Sequence, residues 1–474
     1  MTSFSKLGLK PELLATLDSL SYTEMTPIQQ QSLPEIIKGR DLIGQGKTGS
    51  GKTAAFGLGL LEKLDVKRFR VQALVLCPTR ELADQVAKEI RRLARGIHNI
   101  KVLTLCGGMP FGPQIGSLEH GAHIIVGTPG RVDEHLRKGN LKLENLSTLV
   151  LDEADRMLEM GFTEVLNAIV DKTPKERQTL LFSATFPDNI KKISSRVMNN
   201  PVTVKVESTH SDSVIEQRFF EVDQSDEGRL LATRLLLHEL SPRATVIFCN
   251  TKRDVQQVAD ELDSHGFSVL ALHGDLEQRD RDSTLMRFSN ESVSVLVATD
   301  VAARGLDIDT IDLVINYHVA RDIEVHTHRI GRTGRAGNTG LACSLFSRKE
   351  RYKMKLLEDY LDRTITPVAL PEKMMLGQEI SPPTMKTLQI DGGKKQKLRP
   401  GDILGALTGK EAGESSGVYK SAASSIAGSD VGKITVFDNW AYVAVKREVA
   451  KQALQKLSRG KMKGRSFRIR QVPF

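Results

Sequence analysis

The chain runs to 474 residues with 40% hydrophobic and 26% charged side chains, ordinary for soluble globular protein and enough for two to four domains with cores of their own. No apolar run is long enough to span a membrane, and the start MTSFSKLGLKPELL lacks the basic-then-apolar pattern of a secretory signal, so neither a membrane-embedded nor an exported protein is expected. The net charge of +9 is uneven: Met385–Phe474 holds 18 Lys+Arg against 7 Asp+Glu, a net of +11, which leaves −2 for residues 1–384 and marks the tail as a candidate nucleic-acid binder. Cys77, Cys106, Cys249 and Cys343 are scattered, with no C-x-x-C pair. Buried free thiols in a reducing, cytoplasmic setting are expected rather than disulfides or metal ligands.

In chain order, Thr26-Pro27-Ile28-Gln29 reads as a helix start, with Thr26 as N-cap and Pro27 in the first position. Gly46–Thr53, GKTGSGKT, fits the phosphate-cradling pattern G-x-x-x-x-G-K-[ST]. Its glycines at 46, 49 and 51 let backbone N–H groups of Gly46, Lys47, Thr48, Gly49, Ser50 and Gly51 turn toward phosphate oxygens. Lys52 brings a cation to the β- and γ-phosphates of ATP, and the Thr53 hydroxyl can ligate Mg²⁺. Asp41–Gln45 can end a short strand, and Ala54–Leu64 reads as a helix whose dipole faces the anion.

Two apolar strands then run into Pro-containing turns: Ala73–Cys77 into PTRELADQ, and His123–Val126 into GTPGR. Thr79, Arg80, Thr128 and Arg131 are thereby placed to hold a phosphodiester backbone from a sheet edge, with Gly108 in the Gly107–Gly108 turn allowing close approach. None of these turns presents an aromatic, which points to gripping of the backbone rather than reading of bases. Leu149–Asp155, LVLDEAD, places Asp152 99 residues beyond Thr53. It reads as a buried parallel strand delivering carboxylates to its C-terminal edge. Asp152 is the expected Mg²⁺ ligand, through water, and Glu153 the residue that orients and deprotonates an attacking water. Ser183-Ala184-Thr185 follows a further apolar run. Its two hydroxyls either bond the carboxylates of 152–155, Asp155 among them, and relay nucleotide state, or form a simple turn.

A polar stretch at 207–213 separates the halves, and strand–helix alternation resumes. Ala244–Cys249, Ser268–Leu272, Val293–Ala298 and Leu313–Asn316 read as strands, and a helix after Thr251 carries Val255, Val258 and Leu262 on one face. HRIGRTGR at 328–335 crowds three arginines between glycines. Alone it is a solvated basic patch; opposite a bound nucleotide it would stabilise charge on the leaving phosphate. A helical pattern at Arg348–Leu361 gives way to a Pro-rich connector, Thr366–Pro383. Beyond it come strand Lys386–Ile390, helix Pro400–Leu407, strands Lys433–Phe437 and Ala441–Val445, helix Arg447–Leu457 and strand Phe467–Val472. This β-α-β-β-α-β order suggests an RRM-like fold. Trp440 and Tyr442 fit either base stacking or packing in the core. Gln389 stands where the first strand's aromatic is usual, so the cluster Lys461, Lys463, Arg465, Arg468 and Arg470 is the stronger RNA-binding candidate.

Taken in order, these motifs resemble the DEAD-box ATP-dependent RNA helicases over residues 2–345. The resemblance implies two RecA-like α/β domains in tandem with the RRM-like α+β domain behind them. The expected boundaries are 1–206, a linker at 207–213, 214–365, a linker at 366–384, and 385–474. It implies that Phe4 stacks on adenine and that Gln29 reads its edge. It further assigns Asp307 to the ribose, Thr251 and Thr299 to the RNA backbone, and Arg332 and Arg335 to the γ-phosphate in trans. The sequence departs from the family at Ser21, where Gly is usual, at Gly46 for Ala, at His318 and Ala320 for Asp and Pro, and at His326 for Tyr. GGMPFG at 107–112 and EVHTH at 324–328 look like the bacterial DbpA branch. That likeness implies a hairpin of large-subunit ribosomal RNA as target, with pre-ribosomal particles as partners. A DNA translocase and a non-catalytic ATP-gated RNA clamp are the alternatives. The first is disfavoured by the adenine motif and tail, the second by Glu153 and the paired arginines.

Overall fold

The computed structural model describes residues 3–46, 49–186, 188–206, 215–303, 311–334, 339–409 and 426–472. The chain folds as two compact units, Met1–His210 and Ser211–Phe474. The proposed linker at 207–213 lies outside the described residues.

The first unit is built on a seven-stranded parallel sheet in the order Val102–Leu105, Ile124–Gly127, Ala73–Leu76, Thr148–Leu151, Gln178–Ser183, Leu42–Gln45, Val202–Lys205. Ala73–Leu76, Ile124–Gly127 and Thr148–Leu151 are buried along their whole length. That is why they read as unbroken apolar runs: a parallel strand is covered by helices on both faces. Two apolar clusters line those faces, one around Phe56, Val75 and Phe182, the other around Leu74, Leu149 and Met157. The helix Arg80–Leu93 begins where the Thr79 hydroxyl accepts from Leu82 N at 3.3 Å and buries Ala83, Val86, Ala87 and Ile90. Thr79 thus terminates one element and starts the next at the sheet's C-terminal edge.

The second unit contains a six-stranded parallel sheet ordered Val269–Leu272, Val295–Thr299, Thr245–Cys249, Leu313–Asn316, Gly340–Phe346, Ile215–Glu221. Thr251 caps the helix Lys252–Ser264, accepting from Asp254 N at 3.2 Å, and Val255, Val258 and Leu262 are buried as their spacing predicts. All four cysteines are buried free thiols, and burial pushes those of Cys106 and Cys343 up to about 12.

The same unit holds a four-stranded antiparallel sheet, ordered Val431–Val436, Ala441–Lys446, Met385–Ile390, Ile469–Gln471, with helices Pro400–Thr408 and Ala450–Arg459. The core contains Leu388, Ile390, Ile403, Leu407, Val443, Val445 and Leu457. The β-α-β-β-α-β order is therefore present, and the architecture is two RecA-like sheets plus an RRM-like domain. The connector before it is fastened to the second sheet's body. Val368 N donates to Phe219 O at 2.8 Å, Leu370 and Ile380 pack on its core, and Arg447 Nε reaches Pro383 O at 3.0 Å.

Candidate nucleotide and RNA site

In the first unit the phosphate loop is held from behind by the TPIQ helix start. Thr26 Oγ1 donates to Ser50 O at 2.8 Å, and Gln29 Nε2 donates to Gly51 O at 3.1 Å while Gln29 Oε1 accepts from Thr26 N at 2.9 Å. Gly51 has φ +93°, and a Cβ there would stand 2.5 Å from Gln29 Nε2 and 2.9 Å from Thr26 Oγ1, so only glycine fits. At Gly46 a Cβ would meet Ser50 Oγ at 3.2 Å, a contact a small rotation relieves. Lys52 is buried at 7% exposure and its Nζ donates to Gly46 O at 2.7 Å. Phe4 packs edge-on to Tyr22 at 6.4 Å and is itself buried. Lys47 and Thr48 lie outside the described residues.

The carboxylates arrive on the strand Thr148–Leu151. Burial pushes the Asp152 carboxyl up to about 7 against the pull of the Lys52 ammonium, with Glu153 adding to the rise. Glu153 sits at φ +51°, left-handed backbone for a residue that rarely adopts it, and its N–H donates to Asp152 Oδ1 at 3.1 Å. Strained backbone of this kind concentrates at functional sites. Thr53 and Asp152 offer one hydroxyl and one carboxylate, a hard oxygen set that suits Mg²⁺ held otherwise by phosphates and water. A dication there would also offset the desolvation that raises Asp152.

Asp155 turns away from this group. Its Oδ2 accepts from Thr185 N and Thr185 Oγ1, each at 2.9 Å, and from Ala184 N at 3.2 Å. Burial works against its ionisation, but the Thr185 backbone, the Ser183 and Thr185 hydroxyls and the Lys52 ammonium hold it below the ordinary carboxylate range. Ser183 is fully buried near the same carboxylate, yet its Oγ makes no hydrogen bond of normal geometry. Of the two expected hydroxyl pairings, Thr185 makes the well-formed one, while Ser183 acts on the same carboxylate from close by.

Along the same edge, Arg80 lies over the Gly107–Gly108 turn, where a Cβ on Gly108 would fall 1.8 Å from Arg80 Nη1. Arg131 Nη1 donates to Met109 O at 3.0 Å and to Gln114 Oε1 at 2.9 Å, while its Nε pairs with Glu134 at 3.1 Å. Gln114 also accepts from His135 Nε2 at 2.9 Å and donates to Cys106 O at 3.0 Å. Gln114 and His135 are buried residues that no pattern in the sequence singled out; their importance rests on contacts across 17 and 21 positions. Thr128 starts the helix Pro129–Arg137 without a side-chain cap bond.

In the second unit Arg329 is 1% exposed and acts as a hub. It donates to Asp300 at 2.6 and 2.8 Å, to Asn250 Oδ1 at 2.9 Å and to His318 O at 2.7 Å. One side chain thus ties the turn of Thr251 to that of Thr299. It bonds the backbone carbonyl of residue 318, which explains how His can replace the family's Asp there. His326 stacks on Phe219 and bonds Gln217 Oε1 at 3.1 Å; burial pushes its pKa down to about 4, so it fills its site as a neutral ring. Arg332 is buried at 6% exposure. Asp307 and Arg335 lie outside the described residues.

On the antiparallel sheet the face opposite the helices is covered: Thr387, Gln389, Tyr442 and Ala444 are each at most 9% exposed. The second RecA-like body reaches it. Ser292 Oγ and Thr387 Oγ1 are 2.5 Å apart, Asn290 Nδ2 donates to Thr387 at 3.3 Å, Lys433 Nζ to Ser289 Oγ at 2.6 Å, and Arg279 lies 6.0 Å from the Trp440 ring. Tyr442 is a packed residue, and Trp440 is half-buried beside Phe437. Lys461, Arg465 and Arg468 are exposed, Lys463 donates to Lys397 O at 2.9 Å, and Arg470 pairs with Asp391 at 3.4 Å.

Family models match three stretches: DEAD/DEAH box helicase at 26–193, helicase conserved C-terminal domain at 228–337 and DbpA RNA binding domain at 421–471. The ATP-dependent RNA helicase DbpA of Escherichia coli (strain K12) is 52% identical over 474 residues, covering 99% of both chains. This chain is a DEAD-box ATP-dependent RNA helicase of the DbpA branch. The helicase is also 45% identical to the DEAD-box ATP-dependent RNA helicase CshA of Geobacillus kaustophilus (strain HTA426), across 74% of each chain. Saccharomyces cerevisiae Dbp5 bound to RNA and ADP BeF3 superimposes with a TM-score of 0.71 at 30% identity, covering 78% of the helicase and 96% of that chain.

In a helicase the buried Lys52 ammonium has a direct test. Lys52→Ala removes a charge-assisted phosphate contact of about 1.5–3 kcal/mol. ATP affinity is expected to fall by roughly ten- to a hundred-fold, read by titration with a fluorescent ATP analogue; unchanged affinity would assign the loop another role.

Proposed function

We propose that this helicase separates short RNA duplexes during assembly of the large ribosomal subunit in the cytoplasm, its tail anchoring it to a hairpin of that subunit's RNA. Within the motor, Lys52 and the loop amides hold the phosphates, with Gln29 and Phe4 on the adenine side and Asp307 at the ribose. Mg²⁺ bound through Thr53 and Asp152 would neutralise phosphate charge. Glu153 takes a proton from the attacking water, which adds to the γ-phosphorus as ADP leaves. Arg332 and Arg335 stabilise the charge that develops there. Thr79, Arg80, Gly108, Thr128, Arg131, Thr251 and Thr299 grip the RNA backbone, and Asp155 with Thr185 and Ser183 couples nucleotide state to that grip.

The observation that carries the anchoring role is the contrast between the tail's two surfaces. Its sheet face is buried against the motor, whereas Lys461, Arg465 and Arg468 stand exposed. Contacts to backbone position an RNA without specifying it, so selectivity falls to the tail. ATPase titrations with a large-subunit ribosomal RNA hairpin and an unrelated hairpin of equal length test this. Half-saturation at least tenfold lower for the ribosomal hairpin is expected; equal values would sink the reading.

A further inference from the structure

Groups from two helices and a turn hold the Arg131 side chain, which is 12% exposed. Nη1 commits both its N–H donors, to Met109 O at 3.0 Å and Gln114 Oε1 at 2.9 Å, and Nε pairs with Glu134 at 3.1 Å. The guanidinium lies over the Phe111 ring, its carbon 5.3 Å from the centroid. Nη2 is left over: its two N–H groups make no hydrogen bond among the described residues. A guanidinium fixed on its other nitrogens, with this one uncommitted, suits a phosphate oxygen. The nearby acids do not cancel it. Glu134 is shared between Arg131 and Lys138, at 3.1 and 2.8 Å, and Asp133 is taken by Arg137 at 2.7 Å, so one positive charge remains.

The Gln114 amide is the centre of this arrangement, buried on the helix Phe111–Glu119. Its Nε2 donates to Cys106 O at 3.0 Å, and its Oε1 accepts from Arg131 Nη1 and His135 Nε2, each at 2.9 Å. These partners dictate which way the amide points. Turned over, it would set carbonyl against carbonyl at Cys106 and N–H against N–H at Arg131. One side chain thereby joins the end of the strand Val102–Leu105 to the helix Pro129–Arg137. His135 braces the amide. Its ring is fully buried and stacks on Phe111, centroids 4.2 Å and planes 8° apart. Burial and the Arg131 charge keep its pKa below the ordinary histidine value. The neutral ring carries its proton on Nε2, facing Gln114 Oε1, because the buried Nδ1 has no hydrogen-bond partner. An apolar side chain would fill the same space without an orphan nitrogen, so packing alone does not account for a histidine there.

Resting on the reading of Arg131 as a grip on the RNA backbone, we propose that Gln114, braced by His135, is a positioning residue that presents Arg131 Nη2 to an RNA phosphate. A loose arginine loses rotamer freedom when it binds; one already held in place does not.

The test is a double-mutant cycle in the full chain. It is read as the half-saturating concentration of the unrelated hairpin in ATPase titrations, so that the tail's preference does not mask the motor's grip. Gln114→Met keeps the side chain's length and removes the acceptor. It is expected to raise half-saturation roughly two- to twelvefold, the range spanned by the ordering of one rotamer-rich side chain. In an Arg131→Ala background it should add nothing further, and ATP affinity should be unchanged. Gln114→Asn, whose amide is one methylene too short to reach Cys106 and Arg131 at once, should behave alike and takes its place if the methionine variant does not fold. An Arg131→Ala chain that matches wild type on the hairpin would overturn the backbone grip itself, and positioning with it. Where Arg131→Ala does weaken the hairpin, the positioning role alone is overturned if Gln114→Met changes nothing, raises half-saturation equally in both backgrounds, or lowers ATP affinity as well.

Discussion

Replacing Glu153 by glutamine is expected to lower RNA-stimulated ATP hydrolysis by roughly 10²–10⁴, the usual contribution of a positioned general base, while ATP and RNA still bind. The isosteric amide keeps the side chain's size on a backbone held at φ +51° and leaves Asp152 and Thr53 in place. It also removes a negative neighbour that raises the Asp152 carboxyl, so Asp152 becomes easier to ionise and metal and nucleotide binding should hold or tighten. A fall in kcat with unchanged or lower Kd for ATP separates loss of the base from loss of the site. Turnover near the wild-type rate would remove Glu153 from the role.

How far the sequence foretold this arrangement depends on the range of the interaction. Strands buried on both faces announce themselves as apolar runs: Leu313–Asn316 was legible to the residue, and Val269–Leu272 within one position. The glycines of 46–53 were legible because phosphate binding and backbone conformation both demand them, as Gly51 at φ +93° illustrates. The tail's strand and helix order followed from short alternating patterns in the same way. In these cases the determinant lies within a few residues of the element it determines.

Contacts across long separations left no such trace. Arg329 looked like one of three equivalent arginines, yet its bonds to Asn250 and Asp300, 79 and 29 positions away, bury it as a structural hub. Both hydroxyls of Ser183-Ala184-Thr185 were expected on the carboxylates of 152–155, and only the turn geometry gives Thr185 the well-formed bond to Asp155. Tyr442 stood equally for a stacking platform or a core residue. What decides it is the approach of the 289–292 segment to Thr387, 95 positions on, which covers that sheet face. The helix Arg351–Leu361 shows the converse: its pattern was legible, but that Tyr352, Leu356 and Tyr360 face outward while Met354 and Leu357 face in depends on what packs beneath it.

Neutralising Lys461, Arg465 and Arg468 together to glutamine is expected to weaken binding of the ribosomal hairpin about a hundredfold at 0.1 M salt and to flatten its salt dependence. All five cations of the cluster are exposed; these three are chosen because Lys463 is engaged with the carbonyl of Lys397 and Arg470 with Asp391, whereas Lys461, Arg465 and Arg468 have no ion-pair partner among the described residues. If each cation displaces one counterion from the RNA, log K against log salt loses about 0.7–0.9 per residue, roughly 2–3 for the set. The same slope gives the hundredfold loss at 0.1 M. Because the sheet face is buried against the motor, no second base-stacking platform there is available to compensate. Basal ATPase saturated with unrelated RNA should be unchanged, since the motor's own contacts are untouched. Fluorescence anisotropy across a salt series reads both quantities at once. A triple variant that keeps the wild-type slope and affinity would move the anchoring surface elsewhere on the tail, and one that loses affinity for every RNA alike would make the cluster a general electrostatic aid rather than the source of selectivity.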